Sequence, residues 1–154
     1  FRRSRGLGDV YKRQGSRRLD LQEFILGNRK TAKADDELVT GLLIPKPSAN
    51  AFGAFEKLGA RRYLVISIVM TGVVAEWNED QRIGKIRIAV GSCSDKSIRL
   101  EKLEKECEGK RMDQIQIRTE HLENLSPIDD IRAKADFRLD VVSELILRAV
   151  RQTS

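Results

Sequence analysis

Two apolar runs separated by four polar residues constrain this chain most: "YLVISIVMTGVVAEW" at 63–77, "NEDQ", and "RIGKIRIAVGS" at 82–92. The first is rich in β-branched residues and apolar on both faces, the pattern of a central, covered strand. The second alternates, with Ile86, Ile88 and Val90 inward and Lys85, Arg87 and Ala89 opposite. Two β-rich runs joined by a short polar turn predict an antiparallel hairpin, with Trp77 as a strand-end cap.

Around that hairpin the remaining segments read as follows. In "RRLDLQEFILGNRKTA", Leu19, Leu21, Phe24 and Ile25 form a short helical apolar face that Gly27 stops. "DELVTGLLIPKP" alternates as a strand, with Leu38, Thr40, Leu42 and Ile44 on one face, ended by Pro45 and Pro47. "SANAFGAFEKLGARR" is loop-like at first and then a short strand around Phe55–Leu58. After Ser94 the pattern turns helical. "DKSIRLEKLEKECEG" sets Ile98, Leu100 and Leu103 among charges, with Gly109 as a C-cap. "RMDQIQIRTEHLENL" carries a weaker stripe of Met112, Ile115, Ile117 and Leu122. The clearest helix lies in "SPIDDIRAKADFRLDVVSELILRAV", where Ile131, Ala135, Leu139, Val142, Ile146 and Ala149 step by three or four. Strands followed by helices predict an α+β domain, an antiparallel sheet under a helical layer. Ile131, Leu139, Val142 and Ile146 are expected to bury against the face carrying Ile86 and Ile88.

Charge excludes less than it suggests. The chain has 154 residues and a net charge of +6, but four of those six charges lie in its first 14 residues, "FRRSRGLGDVYKRQ". That segment is open to three readings: a basic arm, the start of a glycine-rich phosphate loop, or sequence foreign to the protein. No strand precedes "GLGDVY" and no third glycine follows in place, as a phosphate loop requires. "GLGDVYKRQ" resembles translated sequencing-adapter read-through. Residues 1–14 are therefore read as a non-native tail and 15–154 as the domain. Without the tail the basic balance says little about nucleic acid. The aromatics Phe55, Tyr63 and Trp77 sit at strand ends rather than on a stacking platform, so no nucleic-acid partner is expected. No apolar run approaches the ~18–20 residues that cross a bilayer, and no apolar stretch of a signal peptide follows the basic start. A cytoplasmic location is expected.

Catalytic chemistry is not visible. Cys93 and Cys107 match no metal-binding spacing, and two thiols cannot hold an iron–sulfur cluster alone. A disulfide between them is conceivable, and reduced, partly buried thiols are the favoured reading. His121 is the lone histidine, sits on a charged stripe without a nucleophile partner, and reads as a solvated surface residue. Asp129 and Asp130, adjacent residues before a helix, read as capping and dipole groups. No catalytic or metal residue is assigned.

In order along the chain, "LQEFILGNRKTA", "DELVTGLLIPKP", "FEKLGARRYLVISIVM", "RIGKIRIAVGS" with "SIRLEKLE", and "SPIDDIRAKADFR" resemble one family. It is the C-terminal domain of the FAD-binding subunit of molybdenum hydroxylases, the group of carbon monoxide dehydrogenase and xanthine dehydrogenase. The resemblance implies a three- to four-stranded antiparallel sheet packed against about three helices. It also implies that this chain is a fragment, with the domains that grip the FAD missing. In the intact assembly the cofactors would be FAD, with molybdopterin and 2Fe-2S clusters on partner subunits. Electrons would pass from the iron–sulfur subunit, which drains the molybdopterin-binding large subunit, through FAD to NAD or another acceptor. By the same resemblance Val39 and Lys57 touch the flavin, and Arg62 reaches the flavin or pyridine-nucleotide side. On the residues alone the preferred reading of Lys57 is a solvated strand lysine, and Arg62 is equally a structural ion-pair member. Gly91–Ser92 stands where many relatives carry two glycines, and Val65 where many carry an acid; the second of these departures leaves the electron acceptor open. The second reading is a subunit-docking scaffold domain with no cofactor contact.

Overall fold

The computed structural model describes residues 15–154; the basic tail lies outside the described residues. The chain divides into two compact units, one ending at Val39 and the other running from Thr40 to Ser154. In the first, a single helical turn, α1 (Leu21–Phe24), leads into a small hairpin of β1 (Ile25–Gly27) and β2 (Lys30–Thr31). The expected helical face is thus cut short. Ile25 pairs with Thr31, and Leu21 is exposed. Arg17 closes the unit by donating from Nε to Glu37 Oε1 at 2.6 Å and from Nη2 to the Ala32 carbonyl at 2.7 Å.

The second unit is built on the expected hairpin. A four-stranded antiparallel sheet has the order β3 (Ala51–Gly59), β4 (Ser67–Trp77), β5 (Ile83–Gly91), β6 (Ile98–Arg99). β4 is central, as its two-sided apolar pattern requires, and Val73 pairs with Ile88 while Ala75 pairs with Ile86. Ile86, Ile88 and Val90 are fully buried, with Val69, Thr71, Val73 and Ala75 of β4 beside them. The helices are α2 (Glu101–Cys107), the one-turn α3 (Thr119–Leu122) and α4 (Ala135–Arg151), with a 3-10 turn at Met112–Gln114. α4 lies across β3 and β4, and α2 lies against β5. Val142, Ile146, Ala149 and Val150 face the sheet. Gly109 takes φ +77°, and its amide donates to the Ile83 carbonyl at 2.7 Å, so the turn after α2 is stitched to the start of β5.

Four expectations are corrected. Residues 37–48 form no strand; Leu38, Leu42, Leu43 and Ile44 are exposed. An alternating segment becomes a strand only where a neighbour completes its ladder, and among the described residues none does. β3 starts at Ala51 rather than near Phe55, because Ala51, Phe52 and Gly53 pair with Glu76, Ala75 and Val74. The stripe at 112–122 is no continuous helix but a 3-10 turn and one α-turn. Ile131 is 99% exposed, since α4 begins four residues later. The Asp130 carboxylate accepts the amides of Arg132 and Ala133, making a turn incompatible with an earlier helical start. The N-cap position of α4 is Lys134, and Asp129, five residues earlier, accepts the first helical amide, that of Ala135, at 2.6 Å.

Candidate functional site

The β3–β4 connection, residues 60–66, carries the cationic and aromatic residues of "GARRYL". Its base is fixed by Lys57, which projects from the sheet face opposite the helices and donates from Nζ to the Val65 carbonyl at 2.8 Å. Arg61 donates to the Leu64 carbonyl at 2.6 Å, and Leu64 adopts φ +49°. A Cβ at Gly59 would sit 2.5 Å from Val65 Cγ1, so a larger residue there would force Val65 to move. Arg62 lies over the Tyr63 ring, 5.3 Å from its centroid, a cation–π contact rather than an ion pair. The resulting loop is tied at its base and presents Tyr63, Leu64 and Ile66 to solvent.

Of the three residues that family resemblance singles out, two lie in the second unit. Lys57 sits near the end of β3 and Arg62 within the loop that follows it. Val39 ends the first unit, 51% exposed, on a segment without regular structure. An ammonium group has three donors, so Lys57 can serve a second acceptor besides the Val65 carbonyl. Among the described residues no glycine-rich turn leads into a helix able to hold a pyrophosphate.

Two clusters escaped sequence reading. Arg138, on α4 and 3% exposed, donates to the carbonyls of Ile68 and Ser92 and to Asp130 Oδ1 at 2.7 Å. It ties the start of β4, the end of β5 and the loop before α4 into one clasp, at the same sheet end as loop 60–66. Glu104 of α2, also 3% exposed, accepts the Ile88 amide at 2.9 Å, a ladder position that the short β6 leaves without a strand. Arg99 holds the same carboxylate through two hydrogen bonds.

His121 corrects another expectation: its side chain is 2% exposed. Its Nδ1 accepts the Arg118 amide at 3.0 Å, and its Nε2 faces Glu106 Oε2 at 2.9 Å. Glu106, Glu120 and His121 bring possible ligand atoms within 4.8 Å of one another. The donor chemistry does not fit a metal. An imidazole whose Nδ1 accepts an amide proton carries its own proton on Nε2, and Arg118 already bridges Glu106 and Glu120. The cluster is a pin between α2 and the α3 segment.

Lys110, Arg118 and His121 hold the Glu106 carboxyl well below its ordinary 4.5, at about 2. A carboxylate depressed by folding adds stability above its unfolded value, and that stability drains as pH falls from about 4.5 toward 2. Urea unfolding across that window should show Glu106→Gln losing stability less steeply than the parent chain. Parallel curves would mean that the pin contributes nothing to acid sensitivity.

Both cysteines are buried with free thiols. Burial pushes each up to about 11, outweighing the Arg138 charge beside Cys93 and Lys110 beside Cys107, so neither is a nucleophile near neutral pH. No helix of the described residues is long and apolar enough to cross a membrane.

Residues 54–153 match the model of the CO dehydrogenase flavoprotein C-terminal domain. The chain belongs to that family. It is 30% identical over 149 residues to the nicotine 6-hydroxylase medium subunit of Paenarthrobacter nicotinovorans, covering 94% of this chain and 51% of that protein. A shorter match, 33% over 66 residues, is to the nicotinate dehydrogenase FAD-subunit of Eubacterium barkeri; it covers 41% of this chain and 22% of that subunit. Carbon monoxide dehydrogenase from Oligotropha carboxidovorans shares the fold, with a TM-score of 0.73 at 21% identity over 85% of this chain and 46% of that one. The chain thus spans about half the length of the nicotine 6-hydroxylase medium subunit. The α+β architecture expected from the sequence is the architecture of this family.

Proposed function

We propose that this domain covers one edge of the flavin in the FAD subunit of a cytoplasmic molybdenum hydroxylase, with Lys57, Arg62 and Val39 on the flavin side. The observation that carries the reading is the family match over 54–153, which includes Lys57 and the loop that it anchors. When bound, FAD supplies electron transfer between the iron–sulfur clusters of a partner subunit and NAD or another acceptor, with molybdopterin on the large subunit. The domain's own contribution is electrostatic. A lysine held by Val65 at the ring's edge favours the anionic reduced flavin and raises its potential.

The test has two parts. The isolated chain should quench free FAD fluorescence weakly or not at all, because a few contacts at one edge do not offset immobilising a large flexible cofactor. In a rebuilt full-length subunit, Lys57→Ala should lower the flavin reduction potential or slow reoxidation while FAD content stays near normal. Tight FAD binding by the chain alone would show that the cofactor grip is misplaced. Unchanged potential and reoxidation would return Lys57 to a purely structural role under loop 60–66 and favour the subunit-docking reading.

A further inference from the structure

Where the chain returns from loop 60–66 into the sheet, β4 carries one residue more than β3. Leu58 pairs with Val69 and Gly59 with Ser67, so Ile68 has no residue opposite it on β3, and the pairing of β4 with β5 begins only at Met70. The irregularity is a β-bulge. Ile68 and Val69 are consecutive yet both buried, where a regular strand would turn one of them to the other face. The bulge leaves the Ile68 carbonyl outside the ladder, and a buried carbonyl needs a donor. Arg138 Nη1 supplies it, and the same nitrogen donates to the Ser92 carbonyl at 3.1 Å. Ser92 directly follows the last residue of β5 and has φ +65°.

Loop 60–66 itself holds a backbone that burial does not explain. Leu64 has φ +49° and is 91% exposed, so no packing of its side chain offsets a left-handed leucine. Such a conformation persists where its surroundings over-determine it. Two tethers, Lys57 to the Val65 carbonyl and Arg61 to the Leu64 carbonyl, come from β3 and from the loop. They fix the shape of the loop, whereas the bulge sets the angle at which it meets β4, because a bulge bends its strand. Arg138 is in turn held in place. Its Nη2 donates to Asp130 Oδ1 at 2.7 Å, and that carboxylate accepts the amides of Arg132 and Ala133.

We infer that Arg138 is the positioning residue of loop 60–66: by holding the bulge at Ile68 it sets how the loop presents Arg62 and keeps Val65 over Lys57. Its hold on the loop stands on geometry alone, and its effect on the flavin rests on the function proposed above. The role calls for an arginine. A planar guanidinium fork serves two carbonyls and a carboxylate at fixed angles, and a lysine ammonium does not reproduce that fork.

The first test uses the full chain and trypsin, which has sites at Arg61 and Arg62 in the exposed loop. Arg138→Lys keeps a cation for Asp130 and loses the fork. Loop cleavage, taken relative to cleavage at Lys102 on α2, should rise about tenfold, since cutting reports how often a segment opens. Ile146→Ala, two turns further along α4, controls for plain destabilisation and should raise cutting at both sites alike. In a rebuilt FAD subunit, Arg138→Lys should lower the flavin reduction potential as Lys57→Ala does. The double variant should go no lower than Lys57→Ala alone, because both act through one loop. Charge is conserved at position 138, so that shift reports the loop's position, and Ile146→Ala should leave the potential unchanged. Should Arg138→Lys fail to fold, Asp130→Asn, which loosens the same arginine, serves for both measurements. Equal cleavage ratios in Arg138→Lys and Ile146→Ala would overturn the inference. So would a potential that Lys57→Ala moves and Arg138→Lys does not, or additive shifts in the double variant. A potential unmoved by Lys57→Ala would overturn the flavin reading instead, and the cleavage ratio then decides whether Arg138 holds the loop.

Discussion

Asp130→Ala should destabilise the chain more than any other single substitution at the clasp, because it leaves the buried Arg138 guanidinium without a counter-charge. Arg138 is 3% exposed, and its remaining partners, the Ile68 and Ser92 carbonyls, are dipoles that stabilise a cation less than a carboxylate does. Asp130 also organises the turn before α4 through the Arg132 and Ala133 amides, so its loss loosens the helix start as well. Its carboxyl lies well below the ordinary aspartate value, driven first by the Arg132 amide and further by Ala133, Arg132 and Arg138. Arg138→Met removes the cation together with the need to neutralise it. That variant should cost less, about 1–3 kcal/mol for the carbonyls left without donors. The double variant should therefore cost less than the sum of the singles, a coupling that chemical denaturation of all four chains measures. Additive costs would show that the two groups act separately.

The clasp also shows where sequence reading ends. The hairpin of β4 and β5 was legible because strand periodicity and a polar turn are local signals, and the inward set of Ile86, Ile88 and Val90 follows from alternation alone. Arg138 sits beside Leu139 in a helical stripe, and its partner Ile68 lies 70 residues away. No local pattern announces that contact. His121 is the same case: its burial depends on Glu106, supplied by a different helix across 15 residues. Residues 37–44 fail for the opposite reason. Their alternation is a true local signal, but a ladder neighbour decides whether a strand forms, and the described residues hold none.

The candidate site divides along the same line. Lys57 and Arg62 have no distinguishing composition or spacing, so resemblance to a family was the only signal for either. The tether from Lys57 to Val65 spans eight residues and becomes visible only once β3 and β4 pair. Arg62 could have been read as stacking from the adjacent Tyr63, since neighbouring cation and ring are a local pair.

Ile146→Ala should cost about 2–5 kcal/mol, whereas Ile131→Ala should cost almost nothing, although both occupy the same three-or-four-residue stripe in the sequence. Ile146 is 0% exposed on α4, packed over β4 and β3, so its truncation leaves a cavity among side chains of the sheet and helix that cannot all move to fill it. Ile131 is solvated in the turn before α4, where deleting its side chain opens no void. Leu139, half-buried against the core, should fall between them. Urea-denaturation midpoints of the three variants, converted with a common slope, order these positions directly. A cost above 2 kcal/mol at Ile131 would mean that α4 starts a turn earlier and rotates its apolar face. Near-neutral truncation at Ile146 would mean that the helix does not close the core. Equal, moderate costs at all three would point to a layer packed loosely enough to lack a defined face, which the fully buried Val142, Ile146, Ala149 and Val150 argue against.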